Sequence, residues 1–211
     1  SLLGKRRRVA IAGCAGSGKT MLAMKKVQQF CDVGLNVLFV CFNSALADYL
    51  ETRLYDAKVA NFHGLCHQAA VQLGRNVNRE TDQKKLFEEM YPQILLEFAE
   101  ETGRVYDAIV VDEGQDFHEN YWIALESLLK SDGYLFIFYD DNQNIFHGST
   151  SFGGLIQEAP FSLNQNCRNT KFIHNTVMKF HSDPTGITSY APEGREPEWI
   201  IYDDTAGMNK A

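Results

Sequence analysis

The sequence predicts an α/β fold in which helices cover both faces of a parallel β-sheet. Short apolar runs of strand length alternate along the chain with longer segments of helical character, which is the pattern of such a sheet. The central runs are apolar at consecutive positions, as in strands that are buried on both faces. The 211 residues are 45% hydrophobic and 22% charged, which provides one sizeable core and argues against a disordered or coiled-coil chain.

Local signals place the individual elements. Gly34 suits the left-handed conformation that follows a helix end, and Ser44 and Thr170 are suitable N-caps. Pro92 predicts a bend in a long charged helix. We expect strands at residues 9–12, 36–42, 108–111, 134–139 and 198–202, and helices at 20–32, 45–55, 64–73, 80–101, 119–130 and 171–180.

Composition excludes several classes of protein. The net charge of −7 argues against a protein that binds nucleic acid mainly through the positive charge of a whole domain. Five cysteines, an odd number without framework spacing, favour a reducing compartment, so we expect a cytoplasmic protein. Apolar runs such as 109–111 and 134–139 are far shorter than the roughly 20 residues that cross a bilayer, so no membrane partner is expected.

Residues 13–20 fit the phosphate-loop pattern G-x-x-x-x-G-K-[ST] at every position, and they lie between a predicted strand and a predicted helix. Its glycines allow backbone N–H groups to turn toward an anion, and the helix N-terminus adds a partial positive charge. We expect Lys19 to reach the β- and γ-phosphates of ATP and the Thr20 hydroxyl to ligate Mg²⁺. The predicted nucleotide-binding residues are Gly13, Cys14, Ala15, Gly16, Ser17, Gly18, Lys19 and Thr20.

Two carboxylates directly follow the predicted strand at 108–111. An ATPase of this class needs a carboxylate near the metal ion, usually at the end of a neighbouring buried strand, and Asp112 is placed to fill that role. Glu113 would then orient or deprotonate the attacking water, because that task needs a carboxylate that faces the γ-phosphate.

Residues 112–116 read D-E-G-Q-D and resemble the D-E-x-Q-D box of superfamily 1 helicases of the UvrD/Rep type, which are DNA-dependent ATPases with two RecA-like domains. Further segments resemble other motifs of that family in the family's order, at 37–47, 61–63, 140–146 and 164–169. The resemblance covers about residues 9–170. It implies a RecA-like P-loop ATPase domain that acts on single-stranded nucleic acid, with DNA favoured.

The resemblance also implies roles for two later residues. Gln143 would sense the γ-phosphate, since a neutral amide can report that group through hydrogen bonds. Arg168 would act as an arginine finger in cis, since a guanidinium stabilises charge that develops on phosphate oxygens. The alternatives are a turn residue at Gln143 and a surface ion pair at Arg168.

The same resemblance implies a domain organisation. Residues 1–181 would form the first RecA-like domain, with a short helical insertion at about 74–105, and residues 182–211 would form a linker and the start of a truncated second domain. That second RecA-like domain, missing from this chain, would be the partner that completes the motor. The family's upstream glutamine motif, which reads adenine, is also absent from the chain.

Aromatic side chains are the expected contacts with a single strand, because bases stack on them and an acidic protein can still bind through a local groove. Phe62 and His63 are the main candidates, while Phe42, Asn43 and Phe146 are secondary. For Phe62, a position in the hydrophobic core is an equal alternative.

We therefore expect an ATP-hydrolysing motor domain of a superfamily 1 DNA helicase or translocase. A P-loop kinase or GTPase is a rival, although no N-K-x-D segment for guanine is present and the segments of Gln143 and Arg168 would have no role in a kinase. A nucleotide-dependent switch or interaction module with little hydrolysis is another. The switch stays an alternative because Gly148 occupies a position at which the family often has a base-stacking aromatic residue.

Overall fold

In the described part of the chain, six strands form one parallel sheet. The structure, a computed structural model, describes residues 6–77, 80–140, 152, 154–179, 188–189, 191–196 and 198. The sheet strands are β1 (Arg8–Gly13), β2 (Val37–Cys41), β3 (Lys58–Asn61), β4 (Tyr106–Val111), β5 (Leu129–Tyr139) and β6 (Phe161–Leu163), in the order β3-β2-β4-β5-β1-β6. Two short strands, β7 (Gln165–Asn166) and β8 (Thr188–Ser189), form a separate parallel pair.

Helices connect the strands from β1 to β5 in succession, and a further helix lies between β7 and β8. They are α1 (Lys19–Cys31), α2 (Ser44–Glu51), α3 (Phe62–Gln72), α4 (Gln83–Lys85), α5 (Tyr91–Thr102), α6 (Glu119–Leu128) and α7 (Lys171–Met178). A π-helical turn, Leu86–Met90, joins α4 to α5, and a 3₁₀ turn, Gly114–Asp116, follows β4. Among the described residues, no helix is both long enough and apolar enough to cross a membrane.

Hydrophobic cores lie on both faces of the sheet. Helices α1 and α2 pack on one face, and α3, α5 and α6 cover the other. In β2, alternate residues belong to the two cores, with Val37 and Phe39 on one face and Leu38 and Val40 on the other. The predicted α/β class, with a parallel sheet between two layers of helices, is confirmed.

The parallel topology places every carboxyl end of the main sheet at one edge, which we call the carboxyl edge. The loops after β1, β2, β4 and β5 all begin there, and α3 begins there directly after β3. In open α/β sheets, ligands bind in the crevice outside the carboxyl ends of the strands.

Several local predictions need correction. The N-cap of α2 is Asn43 rather than Ser44, because Asn43 Oδ1 accepts a hydrogen bond from Leu46 N at 3.1 Å. Helix α6 ends at Leu128 rather than at residue 130, because Leu129 already belongs to β5. Strand β3 was not predicted at all, since Lys58–Asn61 is a short edge strand with polar residues at both ends.

The predicted bend near Pro92 takes the form of the π-helical turn that precedes it. Proline lacks an N–H group, and its ring clashes with the carbonyl four residues earlier in a regular helix. The wider turn at Leu86–Met90 lets the helix continue into α5 with Pro92 in its first turn.

Part of the expected second domain contacts the first. Strand β8 pairs with β7, and Lys171 N donates to Pro192 O at 3.0 Å at the start of α7. The domain boundary at residues 181 and 182 stays a prediction. The predicted strand at 198–202, apart from residue 198, lies outside the described residues.

Candidate nucleotide-binding site

The predicted phosphate loop runs from the end of β1 to the first turn of α1. Gly16 and Gly18 have φ angles of 80° and 87°, a left-handed conformation that glycine adopts without the steric penalty of a side chain. Gly18 is the N-cap of α1, and a Cβ atom there would have no neighbour within 4 Å among the described residues. The loop therefore presents open backbone at a helix N-terminus, where anions bind.

Lys19 folds back over its own loop. Its Nζ donates to Gly13 O at 2.8 Å and to Cys14 O at 3.1 Å, and it lies 3.2 Å from Asp140 Oδ2. The Lys19 side chain is only 7% exposed, so its charge is held inside the site and compensated by the carboxylate at the end of β5.

Asp112 follows β4 and is fully buried at the carboxyl edge. Neither of its carboxylate oxygens has a hydrogen-bond partner among the described residues. Burial raises the pKa of Asp112 to about 6. The Thr20 side chain lies close enough to offset part of this rise, although it does not form a hydrogen bond with Asp112. A buried carboxylate without partners, close to a threonine hydroxyl, fits the way proteins hold Mg²⁺ beside a nucleotide, with few protein ligands and several waters.

Glu113 occupies a strained turn. Its φ of 54° makes it the one non-glycine residue with a positive φ in the described part of the chain. Gln115 Nε2 donates to Glu113 Oε2 at 2.7 Å, and Gln115 Oε1 accepts from Asp140 N at 2.9 Å. Glu113 is thereby tied to the end of β5, beside the phosphate loop.

The segment that contains Arg168 docks directly on the phosphate loop. Cys167 N donates to Gly16 O at 3.0 Å, and Asn166 Nδ2 donates to Ala15 O at 3.3 Å. Asn166 Oδ1 also accepts from Arg168 N at 3.1 Å, which fixes the Arg168 backbone. The Arg168 side chain is exposed, and no ion pair joins it to an acidic side chain within the described ranges.

Phe62 is not available as a base-stacking platform, and that prediction is wrong. Its side chain is 0% exposed and stacks on Tyr121, with ring centroids 4.0 Å apart and planes at 15°. Phe62 therefore belongs to the core between the sheet and the helices that cover this face. This core position is the alternative that the sequence analysis gave for Phe62.

The other nucleic-acid candidates differ in exposure. His63 is half-buried, with its ring stacked on Phe87 at 4.3 Å, and burial lowers its pKa. Asn43 uses its side chain as the cap of α2. Phe42 is 36% exposed at the carboxyl end of β2, and its ring makes T-shaped contacts with His63 and Phe117. Phe42 thus offers the largest free aromatic surface among these described candidates.

Three predictions lie outside the described residues, namely those for Gln143, Phe146 and Gly148. The structure brings the remaining catalytic and nucleotide-binding candidates together at the carboxyl edge. It also adds Gln115, Asp140 and Asn166, for which sequence reasoning assigned no role. All three lie inside motif segments, but their contacts span long stretches of sequence. The separations are 25 residues for Gln115 and Asp140, 121 for Asp140 and Lys19, and 151 for Asn166 and Ala15. Spacing alone could therefore not identify these contacts.

The solved structures to which this chain is similar include two of the replication initiation protein DnaA. One is domain III of the replication initiation protein DnaA from Thermotoga maritima, at 15% identity and a TM-score of 0.41, over 75% of this chain and 55% of that one. The other is AMPPCP-bound DnaA from Aquifex aeolicus, at 10% identity and a TM-score of 0.41, over 82% of this chain and 44% of that one. This chain thus matches about half the length of either structure.

No curated protein matches the chain. A family model described as an AAA domain, AAA_19, matches residues 3–149, which is more than half of the chain. That range includes the phosphate loop and the acidic end of β4. The chain belongs to the AAA_19 family of P-loop ATPase domains.

Proposed function

We propose that this chain is the ATP-hydrolysing motor domain of a superfamily 1 helicase or translocase that acts on single-stranded nucleic acid, with DNA favoured. The observation that carries the proposal is the docking of the Arg168 segment on the phosphate loop, at the same edge as Asp112 and Glu113. A phosphate loop alone binds nucleotide. An adjacent carboxylate pair and an arginine held in cis are the groups that hydrolysis requires in addition.

Each described residue has a distinct task in this site. The loop N–H groups and Lys19 bind the β- and γ-phosphates, which draws Lys19 away from Asp140. Glu113 orients the attacking water and accepts its proton. The Arg168 guanidinium stabilises negative charge on the γ-phosphate oxygens as the bond to the leaving group breaks. Thr20 and Asp112 would hold Mg²⁺, which neutralises charge on the β- and γ-phosphates when it is bound.

The placement of Phe42 supports a nucleic-acid surface next to this site. Phe42 is partly exposed at the end of β2, and β2 is the direct neighbour of β4, which ends in Asp112 and Glu113. A base that stacks on Phe42 would lie near the same sheet edge as the phosphates. Stacking of a base on an aromatic side chain contributes about 1–3 kcal/mol and tolerates any sequence.

The buried ion pair of Lys19 and Asp140 favours a second candidate, a nucleotide-dependent switch with little hydrolysis. ATP would break this pair, and the change at the end of β5 would be passed to a partner. In that case nucleic acid would not stimulate turnover.

One experiment separates the two candidates. Mg²⁺-dependent ATP hydrolysis is measured with and without a single-stranded DNA oligonucleotide, for the wild type, Phe42→Ala and Tyr55→Ala. Tyr55 is the matched control, because it is 84% exposed and lies in the connection before β3, at the opposite sheet edge.

The motor proposal expects stimulation by the oligonucleotide that is lost in Phe42→Ala and kept in Tyr55→Ala. Hydrolysis without any response to single-stranded DNA or RNA, together with no binding of either, would overturn the motor and favour the switch.

A further inference from the structure

A hydrogen-bonded network crosses the site through Gln115. Its amide donates to Glu113 Oε2 at 2.7 Å and accepts from Asp140 N at 2.9 Å, so it joins the end of β4 to the end of β5. The Asp140 side chain continues the network to Lys19 at 3.2 Å. Gln115 therefore uses both ends of its amide on residues that flank the nucleotide site.

The turn that carries Glu113 has little freedom to shift. A Cβ atom at Gly114 would lie 2.7 Å from Ile137 Cγ2, so the turn is pressed against β5. Asp116 N donates to Glu113 O at 3.0 Å, which closes the 3₁₀ turn. With this backbone fixed, the direction of the Glu113 carboxylate depends on its side-chain torsions, and the contact from Gln115 restrains them.

We propose that Gln115 is a positioning residue that aims the Glu113 carboxylate at the attacking water. This inference rests on the proposed function, because it assigns Gln115 a part in the hydrolysis that Glu113 performs. The amide N–H binds one carboxylate oxygen and leaves the other oxygen for the water. The backbone N–H of Asp140 holds the amide in the orientation in which its NH₂ group faces Glu113.

The Gln115→Glu variant tests this assignment through its pH profile. The introduced carboxylate still accepts from Asp140 N, but when ionised it repels Glu113 instead of donating to it. When protonated, it donates an O–H to Glu113 and restores the contact. We expect kcat, relative to the wild type at the same pH, to fall by about 10-fold to 100-fold at pH 8 and to recover as the pH is lowered, with ATP affinity changed by less than about threefold.

Two further variants complete the test. Gln115→Met has a similar length and no hydrogen bond, so we expect a lowered kcat with the pH profile and ATP affinity of the wild type. Gln93→Glu is the matched control, because Gln93 is exposed on α5 and lies beside Arg75 and Asn76, which follow the end of α3 that is remote from the carboxyl edge. It introduces the same charge and should leave kcat and its pH profile unchanged.

Unfolding by denaturant gives a readout that needs no turnover. The stability lost in Gln115→Glu should grow as the pH rises through the carboxylate range, because two ionised groups then face each other, whereas Gln93→Glu should show no such slope. If the wild type binds ATP without hydrolysing it, the proposed function fails, and this slope alone then decides whether Gln115 contacts Glu113. The inference is overturned by a wild-type pH profile in Gln115→Glu, or by a loss of ATP affinity that equals the loss of kcat.

Discussion

Lys19 Nζ lies 3.2 Å from Asp140 Oδ2, in an ion pair whose side chains are 7% and 3% exposed. The pair joins the phosphate loop to the end of β5, across 121 residues of sequence. Nucleotide phosphates and Asp140 therefore compete for the same ammonium group.

This competition predicts the behaviour of Asp140→Asn. The variant keeps the backbone N–H that binds Gln115 but removes the negative charge that holds Lys19. A buried lysine without its partner destabilises the nucleotide-free protein, so its melting temperature should fall. ATP should bind about threefold to tenfold more tightly, because no carboxylate opposes it. Titration with a fluorescent ATP analogue checks this, and weaker binding would show that Asp140 itself helps to hold the nucleotide.

Asp112 predicts a pH dependence of stability in the absence of Mg²⁺. Its pKa rises from 3.8 to about 6 on folding because of burial. Between these values the folded state keeps a proton that the unfolded state has lost, so this residue's contribution to stability falls as the pH rises. The loss amounts to about 3 kcal/mol above pH 6.

Asp112→Asn should therefore be more stable than the wild type at pH 7.5, and this advantage should shrink as the pH falls from about 6 to about 4. Urea unfolding of both proteins at a series of pH values, in EDTA, measures the difference. An advantage of Asp112→Asn that does not vary with pH would contradict the prediction.

Gly16→Ala should separate the Arg168 segment from the phosphate loop. A Cβ atom at Gly16 would lie 3.0 Å from both Arg168 Cβ and Asn166 Oδ1. Gly34→Ala is the matched control, because Gly34 also has a positive φ but has no neighbour within 4 Å of its Cβ position among the described residues. Both variants should lose about 1 kcal/mol from backbone strain, and only Gly16→Ala should also lose ATP turnover. Equal turnover in the two variants would argue against a role for the docked segment.

Phe62→Ala should destabilise the fold rather than weaken nucleic-acid binding selectively. Removal of a fully buried phenylalanine costs about 3–5 kcal/mol, and the ring also stacks on Tyr121. Phe42→Ala removes a partly exposed ring and should cost less than about 1.5 kcal/mol. Thermal unfolding of the two variants makes the comparison, and a stable, fully folded Phe62→Ala protein would contradict the assignment of Phe62 to the core.

Local patterns were enough to predict much of the fold. Strands β1, β2 and β4 each contain a run of consecutive apolar residues, and α1 begins at a loop whose motif is contiguous in sequence. Strand β3 could not be predicted, because its four residues form a short edge strand without a clear hydrophobic pattern. Its pairing with β2 depends on backbone hydrogen bonds. Strands β6 and β7 are shorter still, and their partners lie far away in sequence.

The residues of the site also fall into two groups, those that spacing along the chain could predict and those that only the fold brings together. The residues of the phosphate loop follow one another in the chain, so their roles could be predicted from spacing. Phe62 shows the limit of that approach, because a motif position does not reveal whether a ring faces solvent or Tyr121. The contacts of Gln115 and Asn166 depend on which strand ends are neighbours, which only the three-dimensional arrangement of the sheet determines.

The central claim is that the carboxyl edge of the sheet binds and hydrolyses ATP. It is tested most directly by single-turnover release of phosphate from ATP and Mg²⁺, together with ATP affinity, for the wild type, Lys19→Ala and Glu113→Gln. We predict hydrolysis by the wild type, loss of ATP binding in Lys19→Ala, and retained binding with at least about 100-fold slower hydrolysis in Glu113→Gln. Unchanged ATP affinity in Lys19→Ala, or unchanged hydrolysis in Glu113→Gln, would contradict the account.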